Sequence, residues 1–263
     1  NLIYVDGPAG TGKTHLYKKV LHYVRWKDQI ALAVSMSGIA ALLLPGGRTA
    51  HSRFRLPVPL PLSGCACNIK AQSVAARLLK ESAVIVWDEA PTACKVMYEA
   101  LDECLRDLLG IQRSFGGKTI FLGGDFRQIP PVLRHVDSTN TAAHTLLALP
   151  WWQDHTSLQR FTLHENVRAR EDEAYASFCL EVGEGRRPSV IRTKEGFELD
   201  AGMIHLPADV TTPTDWTLAH MLDWVYEGAD TTPPAQWHNF YHDRACVAPT
   251  NEACSAMNDV MLA

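Results

Sequence analysis

No apolar run in the 263-residue sequence approaches the roughly 18 residues that a membrane-spanning helix needs. There is no CxxC pair among the seven cysteines, so neither a disulfide scaffold nor a zinc ribbon is indicated. Internal repeats and low-complexity tracts are also missing. These absences exclude membrane-spanning, repeat and zinc-ribbon proteins, and they predict buried free thiols in a reducing compartment.

The composition is that of an ordinary globular protein, with 46% hydrophobic and 21% charged residues, and it excludes wholesale disorder. The N-terminus has no basic segment and leaves no room for a signal peptide before the glycine loop that begins at Gly7. The sequence has no initiator Met, so we expect it to be a fragment of a longer protein.

The net charge of −4 conceals an uneven distribution along the chain. Residues 1–135 carry 17 basic and 10 acidic side chains, whereas residues 136–263 carry 8 and 19. The halves therefore have opposite net charge, which predicts two regions with different partners. The basic half is suited to a polyanion.

Hydrophobic patterning predicts strands that alternate with helices, which is typical of βαβ units and a parallel sheet covered on both faces. The predicted strands are 2–5, 30–34, 83–87 and 119–122, and the predicted helices are 14–26, 39–44, 74–79 and 96–109. Residues 45–72 read as an irregular insertion rich in Pro, Gly and Ser. After Pro150 the pattern changes to a strand at 161–167 and a helix at 171–182, so we place a domain boundary near 155–160.

The first strand and the first helix are joined by a glycine loop that fits G-x-x-x-x-G-K-[ST]. Glycines let the backbone wrap around a phosphate, and the N–H groups at the start of the helix attract the anion. Lys13 would reach the outer phosphates and Thr14 would hold Mg²⁺. The loop consists of Gly7, Pro8, Ala9, Gly10, Thr11, Gly12, Lys13 and Thr14.

Two adjacent carboxylates, Asp88 and Glu89, end an apolar strand. Asp88 would ligate the magnesium ion, and Glu89 would orient and deprotonate an attacking water. A polar amide, Gln128, follows the next predicted strand, where it could sense a γ-phosphate, and Pro130 lies beside it. By itself the segment 123–132 is more typical of a proline-rich turn.

The sequence resembles the PIF-type (petite integration frequency) DNA helicases, the RecD-like branch of helicase superfamily one. The similarity is greatest to eukaryotic and Helitron-like members, and it is carried by six strings in matching order. They are GPAGTGKT at 7–14, SGIAALLLPGGRTAHS at 37–52, VIVWDEAP at 84–91, GGDFRQIPPVL at 123–133, LHENVR at 163–168 and APTNEACSAMND at 248–259.

The resemblance implies an α/β fold of the P-loop NTPase class. A RecA-like parallel sheet flanked by helices would be followed by part of a second RecA-like domain. The first motor domain would span 1–157, with a small strand-separating insertion around 53–72, and the incomplete second domain would span 158–263. Lys13, Glu89 and Gln128 then correspond to catalytic residues, Thr14 and Asp88 to magnesium ligands, and Arg168 to an arginine finger supplied by the second motor domain.

The resemblance also implies contacts with single-stranded DNA in three segments. Small polar groups and backbone amides there can bind phosphate oxygens without reading sequence. The implied residues are Gly38, Thr49, His51, Pro130, Thr250 and Asn251. Within one short loop Arg48, Arg53, Phe54 and Arg55 offer cations and a ring for a single-strand groove.

The implied activity is that of an ATP-dependent 5′-to-3′ DNA helicase. It would use ATP and Mg²⁺ on single-stranded DNA and duplex junctions, in DNA repair, recombination or telomere maintenance. We expect no membrane partner and an intracellular protein, in the nucleus or the mitochondrion. Because an adenine-recognising segment and later helicase motifs are absent, we expect poor hydrolysis by this chain alone. The alternatives are an inactive nucleic-acid-binding remnant of a mobile-element helicase and a P-loop kinase or GTPase, although no N/T-K-x-D signature is present.

Overall fold

The structure is a computed structural model that describes residues 1–133, 138–154, 156–187, 190–194, 197–204 and 206–262. The chain divides into two compact units, Asn1–Arg187 and Pro188–Ala263. Within the described residues no helix is long and apolar enough to cross a membrane. The seven cysteines are free thiols, but Cys179 and Cys254 are exposed, so the prediction that the thiols are buried is wrong for these two.

A six-stranded parallel sheet forms the centre of the first unit. Its strands are β1 (Leu2–Asp6), β2 (Ile30–Ser35), β3 (Arg48–Thr49), β4 (Ser82–Asp88), β5 (Thr119–Gly124) and β6 (Leu158–Thr162). They lie in the order β3-β2-β4-β5-β1-β6. The helices are α1 (Lys13–Trp26), α2 (Gly38–Leu42), α3 (Ala50–Phe54), α4 (Val74–Glu81), α5 (Lys95–Leu109), α6 (Pro150–Gln153) and α7 (Glu173–Gly183). The predicted fold class, a RecA-like parallel sheet flanked by helices, is confirmed for this unit.

Both faces of the sheet are buried, as expected for a parallel sheet. Successive side chains of a strand point to opposite faces, so the apolar strand β4 serves two cores. Val84 and Val86 pack with Leu21 of α1 in one cluster, whereas Ile85 and Trp87 belong to the cluster that contains α5. The continuous apolar run that predicted this strand reflects its central position.

Strand β6 extends the first sheet beyond the predicted domain boundary. It pairs parallel with β1, with Leu2 opposite Leu158 and Asp6 opposite Thr162. The compact unit then continues through α7, so the division of the chain falls later than the boundary predicted between 157 and 158. Because β6 is an edge strand with a single buried residue, its sequence has no apolar pattern that marks it as part of this sheet.

The second unit contains an antiparallel pair of strands and three helices among its described residues. The elements are β7 (Val190–Lys194), β8 (Phe197–Met203), α8 (Leu218–Val225), α9 (Trp237–His242) and α10 (Asn251–Leu262). The assignment of residues 158–263 to a second RecA-like domain stays a prediction.

The insertion predicted around 53–72 starts in α3 and continues as irregular chain up to α4. Its first aromatic residue, Phe54, is fully buried and packs against Trp87 with ring centroids 5.3 Å apart. The expectation that Phe54 offers a stacking ring to DNA is therefore wrong, because no base can reach it. The role of this insertion in strand separation stays a prediction.

We expect Phe54→Ala to lower the free energy of unfolding by about 3–5 kcal/mol, the usual cost of removing a buried phenylalanine side chain. Urea denaturation followed by circular dichroism measures the change. Phe161→Ala is the matched control because Phe161 is 54% exposed on β6, and it should cost much less. Equal losses in the two variants would contradict the buried position of Phe54.

Candidate functional site

The glycine loop joins β1 to α1 at the carboxyl edge of the sheet. Gly10 and Gly12 have φ angles of +84° and +86°, a left-handed backbone that glycine adopts without strain. The Thr11 hydroxyl donates to the Pro8 carbonyl at 2.8 Å and closes the loop. The loop therefore arrives at the N-terminus of a 14-residue helix, where N–H groups and the helix dipole favour a bound anion.

Lys13 is held by carbonyl groups of the same loop. Its Nζ donates to the Gly7 carbonyl at 2.6 Å and to the Pro8 carbonyl at 2.9 Å. Burial lowers the pKa of Lys13, and the charges of Asp125, Asp88 and Asp6 oppose that shift. The ammonium group is thus placed beside the loop interior, where a phosphate oxygen would compete with the two carbonyls.

Asp88 ends β4 and is buried, with 7% of its surface exposed. Burial raises its pKa to about 6, the neighbouring Glu89 charge adds to the shift, and the Glu89 N–H, Lys13 and the Thr14 hydroxyl oppose it. The N–H, ammonium and hydroxyl groups around Asp88 therefore do not fully offset the cost of burying its ionised carboxylate. Together with the Thr14 hydroxyl it supplies the hard oxygen ligands that suit Mg²⁺, so the residues present fit the predicted metal.

Glu89 directly follows Asp88 and has a left-handed backbone, with φ +54°. Its Oε2 accepts a hydrogen bond from the Ser35 hydroxyl at 2.9 Å and one from the Ser37 N–H at 3.4 Å. Sequence reasoning missed Ser35, since it lies 54 positions away and has no motif of its own. The contact arises because β2 and β4 are neighbours in the sheet, with Ser35 opposite Asp88.

The segment after β5 is held in place by ion pairs of Arg127. Arg127 pairs with Asp125 at 2.8 Å and with Asp6 at 3.3 Å, and so ties this segment to the end of β1. Gln128 follows directly, with its backbone N–H donating to the Asp125 carbonyl at 3.2 Å. The Gln128 side chain is exposed, so it is free to meet a ligand at this edge.

Arg168 lies beside the glycine loop and belongs to the same compact unit. The N–H groups of Val167 and Arg168 donate to the Gly10 carbonyl at 3.0 and 3.3 Å. Asn166, which sequence reasoning missed, accepts the N–H groups of Arg168 and Ala169 through its Oδ1 at 3.1 Å. Residues 163–168 follow β6 and place Arg168 in the first compact unit, whereas the resemblance implied the second motor domain. Its role as an arginine finger stays a prediction.

A cavity of about 390 Å³ brings most of the predicted nucleotide residues together. Those that line it are Ala9, Gly10, Gly12, Lys13, Thr14, Asp88, Glu89, Gln128 and Arg168. Gly7, Pro8 and Thr11 are not among its lining residues and instead form the closed turn of the loop. The catalytic and ligand roles of these side chains stay predictions, but their shared cavity meets the geometric requirement for such roles.

A second cavity, of about 780 Å³, contains two of the predicted DNA-binding residues, His51 and Pro130. Burial lowers the pKa of His51, which keeps the imidazole neutral at neutral pH. Glu89, Thr92 and Gln128 line both cavities and therefore form the wall between them. The two predicted sites share side chains directly.

The remaining predicted DNA contacts lie outside that cavity. Gly38 is exposed at the start of α2, and Thr49 caps α3 by accepting the Ser52 N–H at 3.3 Å. In the second unit Thr250 accepts the Ala253 N–H at 3.2 Å, and Asn251 begins α10. Their contacts with DNA stay predictions.

No group of three or more His, Cys, Asp or Glu side chains is arranged to hold a metal ion in the part of the chain that the structure describes.

A family profile described as PIF1-like helicase matches residues 1–192. The ATP-dependent DNA helicase PIF1 of Emericella nidulans is 31% identical over 194 residues, which cover 70% of this chain and 25% of that protein. A crystal structure of Bacteroides Pif1 bound to ssDNA aligns with a TM-score of 0.56 and 22% identity, over 75% of this chain and 49% of that one.

A crystal structure of Bacteroides Pif1 in complex with ADP-AlF3 and ssDNA aligns with a TM-score of 0.57 and 21% identity. That alignment covers 72% of this chain and 43% of the other. At this identity the structural likeness shows the fold. The chain spans about a quarter of the Emericella nidulans relative and less than half of each Bacteroides chain.

The raised pKa of Asp88 predicts a pH-dependent stability. Because the unfolded chain ionises this group near pH 3.8 and the folded chain near pH 6, the free energy of unfolding should fall as pH rises from about 4 to 6. This contribution is about 2–3 kcal/mol, and Asp88→Asn should remove it. Denaturation across this pH range, without Mg²⁺ or nucleotide, measures the change.

Asp125→Asn is the matched control, because Asp125 is equally buried but is paired with Arg127. This variant should lose stability at neutral pH, where Asp88→Asn gains it. Parallel pH profiles for Asp88→Asn and the unsubstituted chain would contradict the assignment of the shifted pKa to Asp88.

Gly10 and Gly12 provide a second prediction, since they share a left-handed backbone but differ in surroundings. A Cβ on Gly10 would approach the Asn166 Oδ1 and come within 2.8 Å of the Arg168 Cβ, whereas one on Gly12 would meet nothing within 4 Å. Both alanine variants should carry about 1–2 kcal/mol of backbone strain. Gly10→Ala should lose about 1–3 kcal/mol more, because the loop that carries Arg168 must move. Urea denaturation of both variants tests this, and equal losses would show that this loop does not restrict Gly10.

Proposed function

Because the chain belongs to the PIF1-like helicase family, we propose that it forms the nucleotide-binding motor portion of an ATP-dependent DNA helicase. One observation carries the proposal. A single cavity is lined by a glycine-loop lysine, two carboxylates, an amide and an arginine that follow four different strands of one parallel sheet. This is the set of groups that phosphoryl transfer to water requires.

In the proposed reaction Lys13 binds the outer phosphates of ATP, and Thr14 and Asp88 hold Mg²⁺. When bound, the ion would neutralise charge on the phosphates. Glu89 orients a water molecule and accepts its proton. Gln128 hydrogen-bonds near the γ-phosphate, and the Arg168 guanidinium stabilises negative charge that develops during transfer.

The proposed DNA partner is a single strand in the cavity that contains His51 and Pro130. Its walls are mixed apolar and polar and contain a neutral histidine, which suits backbone contacts that do not read sequence. Support comes from the named relatives, since one Bacteroides Pif1 structure holds ssDNA and another holds ADP-AlF3 with ssDNA. We further propose 5′-to-3′ movement, action at duplex junctions, and a role in repair, recombination or telomere maintenance, on the family resemblance alone.

Coupling between the two sites gives the first test of this function. We expect the affinity for a fluorescein-labelled oligo-thymidine to change when Mg²⁺ and a non-hydrolysable ATP analogue are added, because Glu89 and Gln128 line both cavities. Lys13→Ala should abolish this shift while leaving affinity in the absence of nucleotide intact. Fluorescence anisotropy measures both affinities.

The rate of ATP hydrolysis distinguishes an active motor from an inactive nucleic-acid-binding remnant. Glu89→Gln should lower ATP hydrolysis by a factor on the order of 10²–10⁴ while retaining the nucleotide-dependent shift in DNA affinity, since the amide cannot accept the proton. Arg77→Ala, on the exposed face of α4, is a control that removes a charge from a side chain that lines neither cavity. If DNA binds with the same affinity whether or not nucleotide is present, and hydrolysis is undetectable, the remnant is the better description.

A further inference from the structure

The carboxylate of Glu89 accepts hydrogen bonds from two donors that lie in one short segment of the chain. Its Oε2 accepts from the Ser35 hydroxyl at 2.9 Å and from the Ser37 N–H at 3.4 Å. Both donors lie where β2 ends and α2 is about to begin. One oxygen of the proposed base is therefore tied to the corner between β2 and α2.

Ser35 is positioned rigidly for this contact. It is the last residue of β2, is fully buried, and lies opposite Asp88 in the parallel register. A buried hydroxyl needs a hydrogen-bond partner, and Glu89 supplies it. The register of β2 against β4 therefore fixes where the hydroxyl meets the carboxylate.

Ser37 connects the same carboxylate to the second cavity. Ser37 lines that cavity together with His51 and Pro130, and its own hydroxyl caps α2 by accepting the Ala40 N–H at 3.1 Å. Gly38, a predicted DNA contact, is the next residue. A DNA strand seated in this cavity would thus touch the segment whose N–H group holds Glu89.

These hydrogen bonds occupy a carboxylate oxygen that a general base would use to accept a proton. A lone pair of Oε2 that accepts from Ser35 or Ser37 is not offered to a water molecule, and the two bonds hold the carboxylate towards the corner between β2 and α2. For Oε2 to accept a proton from a water molecule, Glu89 must exchange Ser35 and Ser37 for that water. The side chain is the part that can move, because the backbone of Glu89 is fixed in the turn after β4 by the Thr92 hydroxyl, which donates to the Glu89 carbonyl at 2.7 Å.

We propose that Ser35 is a positioning residue that, with the Ser37 N–H, restrains Glu89, and that single-stranded DNA in the adjoining cavity releases it. This inference rests on the proposed function and specifies its regulation. DNA seated against Ser37 would draw its N–H away from Glu89, and the Glu89 side chain would then turn from Ser35 towards the nucleotide cavity. The nucleotide cavity would then acquire an active base when the strand is in place.

Steady-state ATP turnover, with and without saturating oligo-thymidine, tests the proposal in Ser35→Ala. Turnover without DNA should rise by about tenfold, the equivalent of one hydrogen bond to a charged group. Turnover with DNA should stay within about twofold of the unsubstituted value, since the restraint is then already released, and KM for ATP should not change. The ratio of the two rates, the stimulation by DNA, should therefore fall.

Two further variants keep the interpretation clear. Ser35→Thr retains a hydroxyl and should restore the stimulation. Ser82→Ala is the matched control, because Ser82 is a buried serine at the opposite end of the sheet that donates to the Leu79 carbonyl at 2.9 Å. It should leave the stimulation unchanged, even if stability falls.

The outcomes distinguish this inference from the function on which it rests. If DNA stimulates turnover equally in Ser35→Ala and the unsubstituted chain, or if Ser35→Ala lowers both rates by the same factor, the restraint is refuted and the proposed function stands. If the unsubstituted chain shows no DNA-stimulated turnover but its DNA affinity still changes with nucleotide, the restraint is refuted and the proposed function stands. If the affinity does not change either, both are refuted.

Discussion

The parallel pairing of β1 with β5 on one side and β6 on the other brings the ends of distant chain segments to one edge. The glycine loop follows β1, Gln128 follows β5, and the loop that carries Arg168 follows β6. Parallel strands present their carboxyl ends together, so each loop begins within reach of the others. A single change in the register of β1 would misplace all three groups at once.

The parts of this arrangement that local sequence encodes were predicted well. Apolar runs identified the central strands to within about two residues, because buried parallel strands read as continuous hydrophobic segments. The glycine loop and the pair Asp88 and Glu89 were recognisable because their chemistry is contained in adjacent residues. Their position beside an apolar strand added the structural context that such motifs need.

Features that depend on which strands are neighbours in the sheet could not be predicted from the local sequence. Strand β6 has one buried residue, so nothing in its sequence distinguished the edge of this sheet from the start of another domain. The bond between Ser35 and Glu89 requires knowing that β2 and β4 are neighbours. Phe54 was misread because its arginine neighbours suggested a surface loop, whereas α3 turns its ring into the core against Trp87.

In the proposed nucleotide site, Lys13 would have to exchange hydrogen-bond partners in order to bind a phosphate. Its ammonium group already has two short hydrogen bonds to the Gly7 and Pro8 carbonyls, so a polyphosphate gains only the difference between those bonds and its own. A neutral or weakly charged competitor cannot repay that exchange, whereas a multiply charged one can. In the proposed nucleotide site the lysine would therefore favour multiply charged ligands, through an exchange of hydrogen bonds within the loop as well as through the shape of the cavity.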